Sequence, residues 1–418
     1  MLDGILPGLT IGAIGQGCRR PPGPRLLKPQ PLFPMSSQRL YARVEELADP
    51  IADLQQRLLR TPTAAVSGIC GFDGFVDTFI RVTRPDTLLE FGRSASAAAG
   101  ISTSYPVHHE SDKFGGNGPL LAGALHDLLS GRAEITYIGA LGDPDVQPIF
   151  QRALAHKVKR IYTLAEPAHS DCLEFNDGKI MLSDLRACSQ ITWARVQERV
   201  GVRNLDHLLL ESRFIAAVNW GKLVNVGAVW ENLAVRLREL SVPAKQVLFF
   251  MDLAEFEQRP EEDRRELVSI VGKITAQCRT LLSFNLKEAW QMADLFGCAY
   301  HGRKAPRDVL DLTVELRRHL DVDWVIVHPN DGAACAGAEA SVYVPGPFCS
   351  QPLISTGAGD HFGAGALGAA LRGEDELGMV LIGALTSGYF VRSGLSPSLE
   401  QVSELARRWV AGDLPDRI

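Results

Sequence analysis

The chain is most informative first through what it lacks. No apolar stretch reaches the roughly 18–20 residues that span a bilayer, so no segment reads as a membrane helix. There is no basic excess: 43 Lys and Arg stand against 49 Asp and Glu, a net charge of -6. A broad nucleic-acid surface needs that excess to neutralise phosphates, whereas a single nucleotide needs only a few local groups. No G-x-x-x-x-G-K-[ST] occurs, because the lysines after Gly178, Gly221 and Gly272 are followed by Ile, Leu and Ile; a P-loop is thereby ruled out. None of the eight cysteines sits in a C-x-x-C, and no Cys/His cluster has zinc spacing. Most lie in apolar runs, where Cys acts as a small hydrophobe, so they read as reduced core thiols of a cytoplasmic protein. No internal repeat of fixed period is present.

Residues 1–34 differ in composition from the rest of the chain. Ile5 to Gly17 is apolar and Gly-rich, and Arg19 to Pro34 is Pro-rich and basic. A secretory signal carries its positive charge before the apolar part, but Arg19 and Arg20 come after it. Such a segment buries too little surface to offset its ordering entropy, so 1–34 is expected to be a disordered or dispensable leader, with Met35 as the native start. An amphipathic run (Leu40, Val44, Leu47, Ile51, Leu54, Leu58) then predicts a helix.

From Ala64 onward apolar strands alternate with amphipathic helices. Strands are expected at 64–70, 135–140, 214–218, 247–251, 280–284 and 324–328, and helices at 119–129, 226–240, 261–278, 286–296, 306–320, 359–372, 376–393 and 399–411. This rhythm predicts an α/β fold with a mostly parallel sheet covered on both faces. Residues 78–113 read as irregular, and Asn176-Asp177-Gly178 signals a hairpin. Both break the rhythm and suggest a small inserted β lid, formed by about 78–113 and 171–184. The domain then spans 35–412, with 413–418 as a tail.

The chemistry concentrates in Thr356-Gly357-Ala358-Gly359-Asp360-His361-Phe362-Gly363-Ala364-Gly365. Gly357 and Gly359 permit backbone conformations closed to residues with a Cβ, and a helix of small residues follows. A Gly-rich turn at a helix N-terminus aims free N–H groups and the positive dipole end at one spot, which makes an anion site. A carboxylate at the edge of such a site makes chemical sense as a general base, taking the proton of an alcohol that attacks a phosphoryl group. Asp360 could equally be a helix N-cap, and the glycines plain turn residues. The G-x-G-x-x-G at Gly363–Gly368 is no dinucleotide fingerprint, since it lies within the helix and position 388 is Gly rather than an acid. Elsewhere, Asp73 and Asp77 follow the first strand on one loop and can accept from sugar hydroxyls. Gly115 and Gly116 allow close backbone approach, and Asn117 offers a donor and an acceptor. Asn285 and Glu288 read either as a capping box or as oxygen ligands suited to Mg²⁺. Asp252 ends a buried strand at the carboxyl edge where α/β sheets bind ligands.

The run 356–365 resembles the C-terminal signature of the ribokinase-like (PfkB-type) carbohydrate kinases, T-G-A-G-D-x-F-x-A-G, at every fixed position. Gly115-Gly116-Asn117-Gly118 resembles that family's N-terminal glycine motif, Asn285-Leu286-Lys287-Glu288 its N-x-x-E motif, and Asp77 stands where it carries a sugar-binding Asp. The resemblance implies a three-layer α/β/α kinase that transfers the terminal phosphoryl group of ATP to a hydroxyl of a sugar-like molecule. It implies Asp360 as base, with the N–H groups of Gly357, Ala358 and Gly359 as anion hole. Asn285, Glu288, Thr356 and Gly332 would serve the nucleotide, and Asn285 and Glu288 would hold Mg²⁺ through water. A monovalent cation and a homodimer through the lid are further implications. Two departures stand out: Leu120 replaces a frequent Asn, and His328-Pro329-Asn330-Asp331-Gly332 replaces T-x-G-x-x-G at the nucleotide loop. They are the ground for a second reading, a catalytically weak relative that acts as a ligand-binding or regulatory protein.

Overall fold

Apolar runs four to eight residues long, rich in Val, Ile and Phe, fold as strands, and the longer amphipathic runs between them fold as helices. The computed structural model describes residues 37–60 and 64–418. The leader 1–34 and the start at Met35 lie outside the described residues. In chain order the first part comprises β1 (Ser37–Leu40), α1 (Ala48–Arg60), β2 (Val66–Phe72), β3 (Phe75–Val82), α2 (Leu88–Ala97), β4 (Val107–Gly115), α3 (Asn117–Leu128), β5 (Ala133–Gly139) and α4 (Pro148–Leu154). The middle part holds β6 (Arg160–Thr163), β7 (Ala168–Phe175), β8 (Gly178–Asp184), α5 (Trp193–Val200), α6 (Val202–Glu211), β9 (Phe214–Val218), α7 (Val226–Glu239), β10 (Leu248–Asp252) and α8 (Glu261–Gln277). The last part holds β11 (Arg279–Asn285), α9 (Leu286–Leu295), α10 (Pro306–Leu320), β12 (Trp324–His328), β13 (Gly332–Ala336), β14 (Ala340–Pro345), α11 (Ala358–Leu371), α12 (Glu376–Ser393) and α13 (Leu399–Val410).

Ten strands form one sheet in the order β1-β14-β13-β12-β11-β10-β9-β2-β5-β6. It is parallel except where β13 pairs antiparallel with β12 and β14. Alternate residues of one strand serve opposite faces. Ile215 and Ala217 of β9 join the core under α7 and α8, while Phe214, Ala216 and Val218 join the core under α11 and α12. The α/β fold with a mostly parallel sheet covered on both faces, expected from the sequence, is the fold observed.

A second sheet, in the order β4-β3-β7-β8, is built from the two inserted segments. Its strands start earlier than the expected segments, at Phe75 and Ala168. Residues 78–113 are not irregular: β3 and β4 pair antiparallel around α2, whose N-terminus is capped where Thr87 Oγ1 accepts from Glu90 N. The small residues at 94–97 are helical.

The helix expected from Leu40 begins only at Ala48, after a short 3₁₀ turn. Residues 37–40 are drawn instead into parallel pairing with β14, which would otherwise be an open sheet edge. The β13–β14 hairpin escaped the sequence reading because Gly332–Ala336 contains no β-branched or aromatic residue.

Gly365 explains one fixed position of the signature by packing. A Cβ there would lie 2.7 Å from both Gly383 Cα and Ile382 O of α12. Both are backbone atoms that cannot rotate away. Gly365→Ala is therefore expected to destabilise the protein by at least about 2 kcal/mol, the upper part of the overpacking range. Urea denaturation against wild type measures this, and an unchanged midpoint would refute the close α11–α12 packing.

Candidate active site

The chemistry-bearing residues gather along the carboxyl edge of the large sheet. Asp73 follows β2, Asn219 follows β9, and Asp252, Asn285 and His328 end β10, β11 and β12. Strand order reverses between β2 and β9: after β2 the chain adds β5 and β6 on one side, then β9 to β12 on the other. Such a reversal opens a crevice at the carboxyl edge of an α/β sheet, where ligands bind.

Asp73 lies beneath this crevice and has no solvent exposure. Its Oδ2 accepts from Asn117 N at 2.8 Å and from Asn219 Nδ2 at 2.6 Å, and its Oδ1 accepts from Gly118 N at 2.8 Å. A carboxylate from β2 thus serves as the missing cap of α3, whose own N-cap residue is Gly116 with φ +101°. Asp73, expected to meet substrate, lines neither of the two cavities that meet at Asp360, and its oxygens accept from the start of α3 and from Asn219. Nor do Asp73 and Asp77 share a loop, since Asp77 sits on β3 of the small sheet.

With α3 so placed, Asn117 Nδ2 donates to Asp360 Oδ1 at 2.8 Å. Two cavities meet there. The larger, about 1180 Å³, lies under the small sheet and is lined by Asp77, Lys113, Gly115, Gly116 and Leu120 among others. The smaller, about 660 Å³, is lined by Asp252, Asn285, Glu288, His328 and Gly332 among others. Asn117, Gly357 and Asp360 line both. Asp77 is buried, and a Cβ on Gly115 would come within 2.3 Å of its Oδ2. Leu120 does line the larger cavity, so the departure at this position changes the site's own surface.

Within the 356–365 segment three expectations change. Gly357 is left-handed (φ +93°, ψ -3°) and is the N-cap of α11. Gly359 is helical instead, and a Cβ on it would find its nearest neighbour, His328 Cε1, at 3.8 Å; its smallness keeps the cavity wall open. The Ala358 N–H is not free, because it donates to Ser355 O at 3.2 Å. Thr356 lines the larger cavity rather than the smaller one, and its Oγ1 accepts from Lys179 Nζ of β8 at 3.0 Å.

Four carboxylates line the smaller cavity, and three of them, Asp252, Glu288 and Asp360, are buried, while Glu255 is exposed. Burial raises Asp360 well above the ordinary carboxylate range, and the charges of Asp252 and Asp73 add to this. Burial likewise pushes Asp252 up to about 6, with Asp73 adding to it. Glu288 is pushed up to about 8 by burial and then by Asp252. Among the described residues no Lys or Arg pairs with any of the three. Hard oxygen donors that repel one another across a small cavity suit Mg²⁺, so Asp252, Glu288 and Asn285 fit the expected metal. The capping box is also present: Asn285 Oδ1 accepts from Glu288 N at 2.9 Å, and Glu288 Oε2 accepts from Asn285 N at 3.0 Å.

Sequence reading missed three side chains. His361 donates from Nδ1 to Gly357 O at 2.8 Å, pairs through Nε2 with Ser396 Oγ at 2.9 Å, and stacks on Phe390. Burial lowers its pKa to about 4, so it is neutral. Lys179 bridges the small sheet to Thr356, and Asn219 holds Asp73. None has a local pattern; only their partners in space mark them.

Asp73→Ala would strand two backbone N–H groups and the Asn219 amide in a dry site. The expected cost is roughly 2–4 kcal/mol of folding stability, read by urea denaturation. A variant that keeps wild-type stability would mean that Asp73 does not set the start of α3.

Residues 63–409 match the family model described as prokaryotic ketohexokinase. The ketohexokinase of Haloferax volcanii is 26% identical over 352 residues, covering 80% of this chain and 89% of that protein. Among solved structures, Arabidopsis thaliana ribokinase complexed with ribose and ATP superposes with a TM-score of 0.57 at 14% identity, covering 83% of this chain and 99% of that one. Adenosine kinase from Sinorhizobium meliloti gives 0.57 at 18% identity, with 83% and 99% coverage. These structural likenesses establish the fold, and the family match extends over most of the chain: the protein belongs to the prokaryotic ketohexokinase family and is a PfkB-type carbohydrate kinase.

Proposed function

We propose that this kinase transfers the terminal phosphoryl group of ATP to a hydroxyl of a ketohexose, with Asp360 as the general base. The observation that carries the reading is the place of Asp360, at the junction of two cavities and in the first turn of α11. The sugar occupies the larger cavity, where the Asp77 carboxylate accepts from its hydroxyls and Asn117 orients Asp360. The nucleotide occupies the smaller one, beside Glu288, Asn285 and Gly332. Mg²⁺, held by Asp252, Glu288 and Asn285 directly or through water, supplies charge neutralisation at the phosphates. The Gly357 and Gly359 N–H groups and the α11 dipole face the charge that develops on the transferred group. Lys179 ties the small sheet down over the sugar. The choice of a ketohexose rests on the family model and on the Haloferax volcanii relative. Nothing in the comparisons favours a non-catalytic relative.

A homodimer through the small sheet is a further part of this reading. It is supported by the exposure of Val107 on β4 and Leu182 on β8. A cytoplasmic setting is supported by seven free cysteines among the described residues, five of them buried.

ADP release measured with ketohexoses, aldohexoses, pentoses and nucleosides tests the substrate; a preference of more than tenfold for a pentose or nucleoside would overturn it. Asp360→Asn keeps the shape and removes the base, so kcat should fall by about 10² to 10⁴. The base works only when unprotonated, and its raised pKa means that protons block it up to a higher pH than for an ordinary carboxylate of about 4. The acid limb of the kcat profile should therefore lie above that value. Asn117→Ala removes a donor that favours the charged form, and should move the limb further up.

The layout predicts two opposite phenotypes. Asp77→Ala should raise the sugar KM by about one to two orders of magnitude, the worth of a charged hydrogen bond, and leave the nucleotide KM nearly unchanged. Glu288→Gln should raise the Mg²⁺ requirement and spare the sugar KM. Steady-state kinetics on both variants decides it, and the reverse pattern would invert the assignment of the cavities.

A further inference from the structure

The sequence shows no zinc spacing, but the fold assembles a cluster of zinc-type ligands at the far end of α9. Cys298 lies just beyond that helix, tied down where its N–H donates to Ala293 O at 2.9 Å. Glu315 and His319 are four residues apart on α10 and so share one face. One ligand atom from each of the three lies within 4.8 Å of the others. Cys298 Sγ is 3.5 Å from His319 Nε2, and His319 Nε2 is 3.8 Å from Glu315 Oε2. Tetrahedral zinc, with bonds of about 2.3 Å to sulfur and about 2.1 Å to nitrogen or oxygen, separates S from N by about 3.6 Å and N from O by about 3.4 Å. The Cys298–His319 and His319–Glu315 spacings lie close to these, and the Cys298–Glu315 spacing is within 4.8 Å.

The supports around the ligands are also in place. The His319 ring stacks on Phe296 at 4.7 Å and 8°, which fixes its plane. Arg318 Nη1 holds the Glu315 carboxylate at 3.1 and 3.2 Å. All three ligands are partly exposed, so a cation can enter. The donors are sulfur, nitrogen and oxygen, unlike the all-oxygen set at the nucleotide cavity. The two sets lie at opposite ends of α9, roughly 15 Å apart at 1.5 Å per residue.

We propose that Cys298, Glu315 and His319 form a second cation site, selective for a thiophilic divalent ion of the zinc class. Three protein ligands and one water complete a tetrahedron. The Cys298 thiol proton goes to solvent as the metal–sulfur bond forms, and no redox change is involved. The bound ion clamps the α9–α10 connection, residues 296–305, onto α10. It is a structural site and takes no part in phosphoryl transfer.

The test uses the full-length protein freed of metal by a chelator, with Co²⁺ as a spectroscopic stand-in for Zn²⁺. One Co²⁺ per chain should bind with a thiolate-to-cobalt charge-transfer band in the near ultraviolet, and Zn²⁺ should displace it and raise Tm. Cys298→Ser should abolish the band. Cys298→Ser and His319→Gln should each weaken Zn²⁺ binding by more than about tenfold, while leaving the metal-free Tm within a degree or two. Glu288→Gln should leave the band intact. The proposal fails if stoichiometric Co²⁺ gives no thiolate band, or if Cys298→Ser binds Zn²⁺ as tightly as wild type. Kinase activity does not enter the readout, so this result is independent of the proposed reaction.

Discussion

Three donors within 2.8 Å converge on the Asp73 carboxylate: the backbone N–H groups of Asn117 and Gly118, and the side-chain amide of Asn219. The contact joins three parts of the chain, namely the end of β2, the start of α3 and the end of β9. A buried carboxylate is stable only when its charge is met by such donors. Satisfying it therefore fixes where α3 begins, and that in turn aims the Asn117 amide at Asp360. The candidate base owes its position to a carboxylate that does not itself reach the cavity.

The same crevice concentrates negative charge. Asp73, Asp252, Glu288 and Asp360 all lie at the carboxyl edge, and each has its pKa raised first by burial. Such a cluster is costly while it stands alone. In the proposed reaction a cation bound with the nucleotide would relieve it, which is the physical ground for assigning a metal-bearing ligand to the smaller cavity. On the other side the N-terminus of α11 has no side-chain cap, and its dipole presents a positive end to the site. In the proposed reaction these two fields would orient the phosphoryl group between the metal side and the acceptor side.

Packing and chemistry share residues in the 356–365 segment. Gly357 is required by its left-handed backbone and Gly365 by its contact with α12, whereas a Cβ on Gly359 would make only an ordinary contact with His328. A motif that reads as one signature thus carries two separate packing and backbone demands. His361, at its variable position, locks the Gly357 carbonyl to the α12–α13 connection through Ser396.

Some of this was legible in the residues alone. Strand and helix periodicity placed β9 and β12 to the residue, because buried parallel strands are short, apolar and bounded by turns. The 356–365 run pointed to Asp360 through its resemblance to the PfkB-type signature at every fixed position, whereas the glycines and the acid by themselves left an N-cap equally open. The same reading misjudged β1, α2 and the β13–β14 hairpin, whose conformations are set by partners far along the chain rather than by local preference. It does not foresee that Asp73 is fully buried against α3 or that Thr356 lines the larger cavity, since sequence shows which groups a residue carries but not which neighbours will meet them. It could not see Lys179 over Thr356, or Cys298 beside Glu315 and His319. Local spacing encodes elements and turns; hydrogen-bond partners and ligand sets arise only when residues tens to hundreds of positions apart are packed into contact.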